Sequence, residues 1–135
     1  MIKKQSEEDY LGAIYYISEQ NDGVVRSIDI VKYLNISRPS VSEMLKKMTK
    51  HKLIKMKVYS SITFTAKGLK KAKKIIYKQR VIEVFLKNIL KIKKQNLNRE
   101  AHKLEHAFSD EAIKKLAKFL NNPKVCPCGH KIPIL

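Results

Sequence analysis

The chain has 135 residues, 29 of them Lys or Arg against 12 Asp or Glu, for a formal net charge of +17. With 44% hydrophobic residues and only four Gly and four Pro, the composition excludes collagen-like and disordered chains and predicts one compact unit or two small subdomains folded together. No apolar run approaches the ~20 residues that cross a bilayer and the start MIKKQSEEDY has no signal-peptide stretch, so the expectation is a cytoplasmic protein with no membrane partner, whose charge seeks a polyanion, nucleic acid first.

From Ser6 to about Gln20, the residues Tyr10, Leu11, Ile14, Tyr15 and Ile17 recur at helical spacing, and Asn21-Asp22-Gly23 stops the run. Asp9 stands three after Ser6 and completes an S-x-x-D capping box for this first helix. The stretch RSIDIVKYLNI predicts a short second helix through Ile28, Val31 and Leu34. A third begins after Ser37, which is placed to cap it; Pro39 is tolerated in its first turn, and Val41, Met44, Leu45 and Met48 share one buried face. The period then changes to two. Ile54, Met56 and Val58 alternate, Ser60-Ser61 permits a turn, and Ile62 and Phe64 alternate again, which reads as a small hairpin. Thr65 can cap a long fourth helix reaching Lys91, with Ile76, Val81, Phe85, Leu86 and Ile89 among its apolar positions. Two further helices are expected over about 97–106 and 110–121, with Ser109 as a cap and Asp110 and Glu111 at the positive end of the dipole. The tail NNPKVCPCGHKIPIL holds three of the four prolines and is expected to be irregular.

A hairpin after two linked helices suggests a winged helix-turn-helix. The fold class is therefore mainly α (α+β), with a winged-helix domain over 1–70 and a helical domain ending in an irregular tail over 71–135. In such a motif the second helix enters the major groove, where its first residues meet base edges and its lysines meet phosphates. Arg38 can offer a guanine two donors, Ser37, Ser40 and Ser42 are short enough for close approach, and Lys46, Lys47 and Lys50 suit the backbone. Pro39 and Glu43 complete the DNA-facing set on this helix, and Arg26 and Ser27 join it from the start of the preceding one. Glu43, an acid on a reading helix, leaves the target sequence open. Singly, each of these side chains is more often just solvated; the apolar face, the turn and the hairpin together point to double-stranded DNA.

His102, Glu105 and His106, in HKLEH, lie on one face of a helix and can converge on one ion. Read literally the string is H-x-x-E-H, a zinc-peptidase signature. A peptidase needs a further ligand far along the chain and a substrate cleft, and only 29 residues follow His106, so no enzyme and no small organic substrate are expected. By themselves three such residues more often make a polar helix face than a metal site. Cys126 and Cys128 stand too close together to staple a fold, and in a reducing compartment such a pair more often ligates metal than forms a disulfide.

The stretches SEEDYLGAIYYI, ISRPSVSEMLKKM, ITFTAKGLKKA and LEHAFSDEAIKKLAKFL, and the spacing between them, resemble the metal-dependent repressors of the DtxR/MntR type over nearly the whole chain. The resemblance implies an N-terminal winged helix, a helical dimerisation domain and a transition-metal corepressor, in the short form of the family that lacks an SH3-like domain. It also implies a metal set of Asp9, His102, Glu105 and His106, with Asp9 contributed by the first helix. A second site follows the family pattern of a long-helix carboxylate with a Cys-Pro-His-Gly tail: Glu83, Cys126 and Cys128, where Cys128 takes the histidine's place and favours a softer ion. Gln79 and Asn98 stand where other members place histidines, against an ancillary site of the older type.

The expected function is a homodimeric, Fe2+- or Mn2+-dependent regulator, a repressor of metal-uptake genes at a palindromic operator. Co2+, Ni2+ or Zn2+ can substitute, since two imidazoles and two carboxylates suit them all. The alternatives are a winged-helix regulator needing no metal and, from another class, a zinc hydrolase.

Overall fold

The computed structural model describes residues 6–57 and 61–135. The chain divides into two compact units, Met1–Ala72 and Lys73–Leu135.

In the first unit, α1 (Glu7–Gln20) starts where the capping box places it: Ser6 Oγ accepts from the Asp9 N–H and Asp9 Oδ2 accepts from the Ser6 N–H. It ends at a turn in which Asp22 (φ 51°) and Gly23 (φ 86°) take left-handed conformations, and it buries Tyr10, Leu11, Ala13, Ile14 and Ile17. Helix α2 (Ser27–Leu34) closes on Asn35 in the αL region, one of the few non-glycine residues that tolerates it. Its core residue is Ile30, which is wholly buried, while Ile28, Val31 and Leu34 are half-buried. The expected inward stripe is thus shifted, because one turn past Ile30 ends the helix and Ile28 lies on the other side of it. Helix α3 (Arg38–Lys50) is capped by Ser37 Oγ, which accepts from the Ser40 N–H at 3.3 Å, and it buries Val41, Leu45 and Met48, with Met44 half-buried.

Strands β1 (Ile54–Met56) and β2 (Ile62–Phe64) pair antiparallel in the register Ile54↔Phe64, Lys55↔Thr63 and Met56↔Ile62. Ile54 and Ile62 are buried, but Met56 is 44% exposed; the expected continuation through Val58 and the turn at Ser60 lie outside the described residues. α1 packs on α2, α2 on α3, and α3 on β1. The sheet feeds α4 (Ala66–Asn88) through Thr65, whose N–H donates to Leu53 O, whose hydroxyl donates to Lys52 O at 2.6 Å, and whose Oγ1 accepts from the Gly68 N–H at 3.0 Å. Gly68 is required here: a Cβ would occupy the place of the Leu53 carbonyl oxygen.

In the second unit α4 continues and is followed by α5 (Lys94–Glu105) and α6 (Asp110–Phe119). α4 stops before the expected Lys91, and Ile89 is 48% exposed rather than core. Lys91 takes a left-handed φ of 59° and Lys93 an extended conformation, so α5 starts three residues earlier than its apolar period suggests. Ser109 caps α6 through the Ala112 N–H, and Asn121 and Asn122, both at positive φ, end it before residue 121. Val81, Ile82, Val84 and Leu86 of α4 share one core with Leu97, Ala101, Ile113, Ala117 and Ile132.

The tail after α6 is irregular, as expected, with no helix or strand, but it is held by specific contacts. A bridge between Val125 and Lys131 closes a turn in which the Cys126 N–H donates to His130 O and the Gly129 N–H donates to Cys126 O. Arg80 Nη1 donates to Lys131 O at 2.6 Å. Burying Cys126 and Ile132 supplies the apolar contact that a free tail would lack.

Candidate metal centre and DNA-reading face

His102, Glu105 and His106 gather because α5 carries the first two one turn apart and His106, its C-cap, keeps helical backbone angles (φ −73°, ψ −20°) that continue the same face. One ligand atom from each lies within 4.8 Å of the others. Glu105 Oε1 stands 3.1 Å from His102 Nδ1 and 3.6 Å from His106 Nε2, and the two rings are nearly perpendicular, 5.4 Å between centroids. Ligands on bonds of ~2.1 Å to one ion stand about 3.0 Å apart at right angles and about 3.4 Å apart in a tetrahedron.

Glu105 is 5% exposed, and its Oε2 has no hydrogen-bond partner among the described residues. A carboxylate is also misplaced for helix stability here, because the last turn presents the negative end of the dipole. A buried, unsatisfied carboxylate oxygen beside two imidazoles fits a divalent transition ion, whose positive charge would offset the cost of the desolvated carboxylate.

Asp9 sits in the first turn of α1. Its Oδ2 serves the cap, and a carboxylate with two oxygens can cap and ligate together. The start of α1 is also tied to the end of α3: the Glu7 carboxylate meets His51 Nδ1 at 3.1 Å, and His51 is the C-cap of α3.

Glu83 and Cys128 meet as a pair, Oε2 to Sγ at 3.9 Å. Burial pushes the Glu83 carboxyl above its ordinary range, partly opposed by the Arg80 guanidinium; burial, then the Glu83 charge, pushes the Cys128 thiol up. Cys126 is buried and Cys128 exposed, both as free thiols. Cys126 does not join them in a converging ligand group among the described residues.

On the first unit, Arg26, Ser37, Arg38, Pro39, Ser40, Ser42, Glu43, Lys46, Lys47 and Lys50 are all exposed, and Ser27 is half-buried. The structure spends two of these hydroxyls locally, since Ser37 Oγ donates to Ser40 Oγ at 2.8 Å within the cap. Beside the face runs a groove of about 680 Å³ between α2, α3 and β1, with Ile28, Val31 and Met56 in its walls and Arg38, Ser42 and Lys46 at α3. The apolar walls escaped the sequence reading because Ile28 and Val31 pass for core residues until Ile30 is seen to fill that role.

Three helices and a hairpin presenting a basic helix, together with a buried carboxylate between two imidazoles, are the parts that a metal-responsive DNA-binding regulator requires, and the comparisons with known proteins give that class. Residues 4–62 match the family model described as "Iron dependent repressor, N-terminal DNA binding domain", and residues 65–134 match "Iron dependent repressor, metal binding and dimerisation domain". The chain belongs to the iron-dependent repressor family. An HTH-type transcriptional regulator of Methanocaldococcus jannaschii is 38% identical over 120 residues, 89% of this chain and 96% of its own length. The iron-dependent repressor IdeR of Mycobacterium leprae is 30% identical over 126 residues, 93% of this chain and 54% of its own. The solved structure of the manganese regulator SloR superposes with a TM-score of 0.85 at 39% identity, covering 98% of this chain and 61% of that one. The chain therefore spans little more than half the length of the last two. These relatives are regulators rather than enzymes, and no described helix of this chain is long and apolar enough to cross a membrane.

Proposed function

We propose that this chain represses metal-uptake genes as a cytoplasmic, non-catalytic homodimer on a palindromic operator, with Fe2+ or Mn2+ as corepressor held by Asp9, His102, Glu105 and His106. The observation that carries the reading is the buried Glu105 Oε2, partnerless among the described residues and flanked by two imidazoles. When bound, the ion supplies the positive charge that lets these acidic and neutral donors share one point. The capping box holds the Asp9 carboxylate on the first turn, and the Glu7–His51 contact and the α1–α2–α3 packing carry the orientation of α1 to the reading helix. In a dimer this fixes the separation of two reading helices, which must be near ~34 to 36 Å to enter successive major grooves.

A second, softer centre at Glu83, Cys126 and Cys128 belongs to the same proposal, supported by the Glu83–Cys128 contact and requiring Cys126, which stands apart from that pair here, to turn toward it. Because burial favours the protonated form of both groups, an ion binding there releases protons.

A gel shift on the gene's own upstream region with manganese, with ferrous iron and with chelator tests the function. Retarded complex is expected with metal only, and Asp9→Ala and His106→Ala each remove the metal response while leaving the fold. Equal binding in chelator would favour a metal-independent regulator. Metal titrations with and without operator should differ about 5- to 150-fold in affinity, the reciprocal coupling of an allosteric site.

A further inference from the structure

Between Glu43 and Glu83 the chain carries 13 Lys or Arg and no Asp or Glu. Six of the 13 lie on the reading helix, on its C-terminal turn, on β1 or, for Lys57, just after it, and the rest on α4. At 3.6 residues per turn, Lys67, Lys70, Lys71 and Lys74 fall within about 100° of one another around α4. That stripe lies opposite Gly68 and Ala72, which are buried, and all four lysines are exposed.

A merely solvated helix face interleaves charges, so that neighbours at i, i+3 and i, i+4 pair. Elsewhere this chain does so, in Lys103–Glu100 and Lys115–Glu111, and Lys78 further along α4 meets Asp110. The four stripe lysines meet no carboxylate among the described residues; instead they repel one another at i, i+3 and i, i+4. Such a face is unfavourable to the isolated chain and is relieved by an external polyanion.

We propose that the lysine stripe of α4 is a second, sequence-independent binding surface for the phosphodiester backbone of duplex DNA, separate from the base-reading face of α3. This deepens the DNA-binding reading above and rests on it. A membrane surface fits less well, because interfacial helices need an adjoining apolar face to insert, and the apolar side chains of this part of α4 are largely turned inward, with Leu69 the exception at 37% exposure. The four lysines advance along α4 by about 10 Å from first to last. A duplex places one charge every ~1.7 Å of its axis, so Lys70, Lys71 and Lys74 can each find a phosphate, while Lys67 Nζ donates to the His51 carbonyl at 3.3 Å.

The test compares the full chain with Lys70→Gln/Lys71→Gln/Lys74→Gln by anisotropy on a random-sequence duplex over a salt series with metal present. Each phosphate contact contributes about 0.9 to the slope of log affinity against log salt, so loss of all three makes the slope shallower by roughly 2.7. The triple Lys→Arg variant should keep the wild-type slope, and the Gln variant should melt no lower than wild type. A short duplex and a mixture of two labelled duplexes distinguish the source of the phosphates: loss on the first places the stripe on the DNA that α3 reads, and loss only of duplex bridging places it on a second DNA. A wild-type slope in the Gln variant would overturn this inference and leave the metal-dependent reading intact. Loss of binding to phosphatidylserine vesicles with an unchanged duplex slope would overturn it in favour of a membrane. Failure of wild type to bind any duplex would overturn both readings.

Discussion

Glu105→Met removes the carboxylate at the centre of the proposed metal site and replaces it with an apolar side chain of similar length. In the metal-free protein an unsatisfied buried polar group costs about 1–3 kcal/mol, and Glu105 Oε2 is such a group among the described residues. The substitution also forfeits the 3.1 Å contact to His102, which is itself partly exposed and worth about 0.5–1.5 kcal/mol net. Taking the middle of each range, metal-free Glu105→Met should be more stable than wild type by about 1 kcal/mol, which for a chain of this size raises the melting temperature by roughly 3–5 °C. At a hundredfold excess of metal over its dissociation constant the wild type gains about 2.7 kcal/mol, and the variant gains nothing. The order of the two melting curves should invert between chelator and manganese, measured by circular dichroism at matched protein concentration. If Glu105→Met melts below wild type in chelator, or if wild type does not shift with metal, the reasoning about this carboxylate is wrong.

Gly68→Ala should be destabilising by at least about 1–3 kcal/mol, read as a lowered urea midpoint, because its Cβ meets the Leu53 backbone rather than a side chain that could turn away. A midpoint unchanged from wild type would mean that α4 does not approach Leu53 closely. Glu83 supplies a pH dependence. Its folded-state pKa is raised above the ordinary carboxylate value, chiefly by burial, so over that window the folded state binds more protons than the unfolded state and stability falls as pH rises. In chelator, the stability of wild type relative to Glu83→Gln should accordingly decline from the ordinary Glu range upward until the raised pKa is passed, then level off. A difference independent of pH across mildly acidic conditions would show that Glu83 titrates normally. Ser109→Ala, which removes the hydroxyl accepting from the Ala112 N–H, should cost about 0.5–2 kcal/mol in a thermal melt without altering metal affinity.

Much of the architecture is written in short-range patterns that chain position alone reveals. Ser6, Ser37 and Ser109 cap helices because a cap involves residues three apart, and His102, Glu105 and His106 share a face because helical geometry puts them there. The change of period near Ile54 marks the hairpin for the same reason. What depends on chain segments far apart could be decided only by the folded structure. Ile30 rather than Ile28 or Val31 fills the core under α2, since which side of an eight-residue helix turns inward is set by what packs against it. The tail CPCG is closed and packed because Cys126 and Ile132 find apolar cover and Arg80 reaches across from α4 to Lys131, 51 positions away. The state of Glu105 is the functional case: its place in HKLEH is visible in the string, but the burial of its Oε2 with no hydrogen-bond partner among the described residues is a property of the surrounding core, and it is that burial on which the proposed metal site rests.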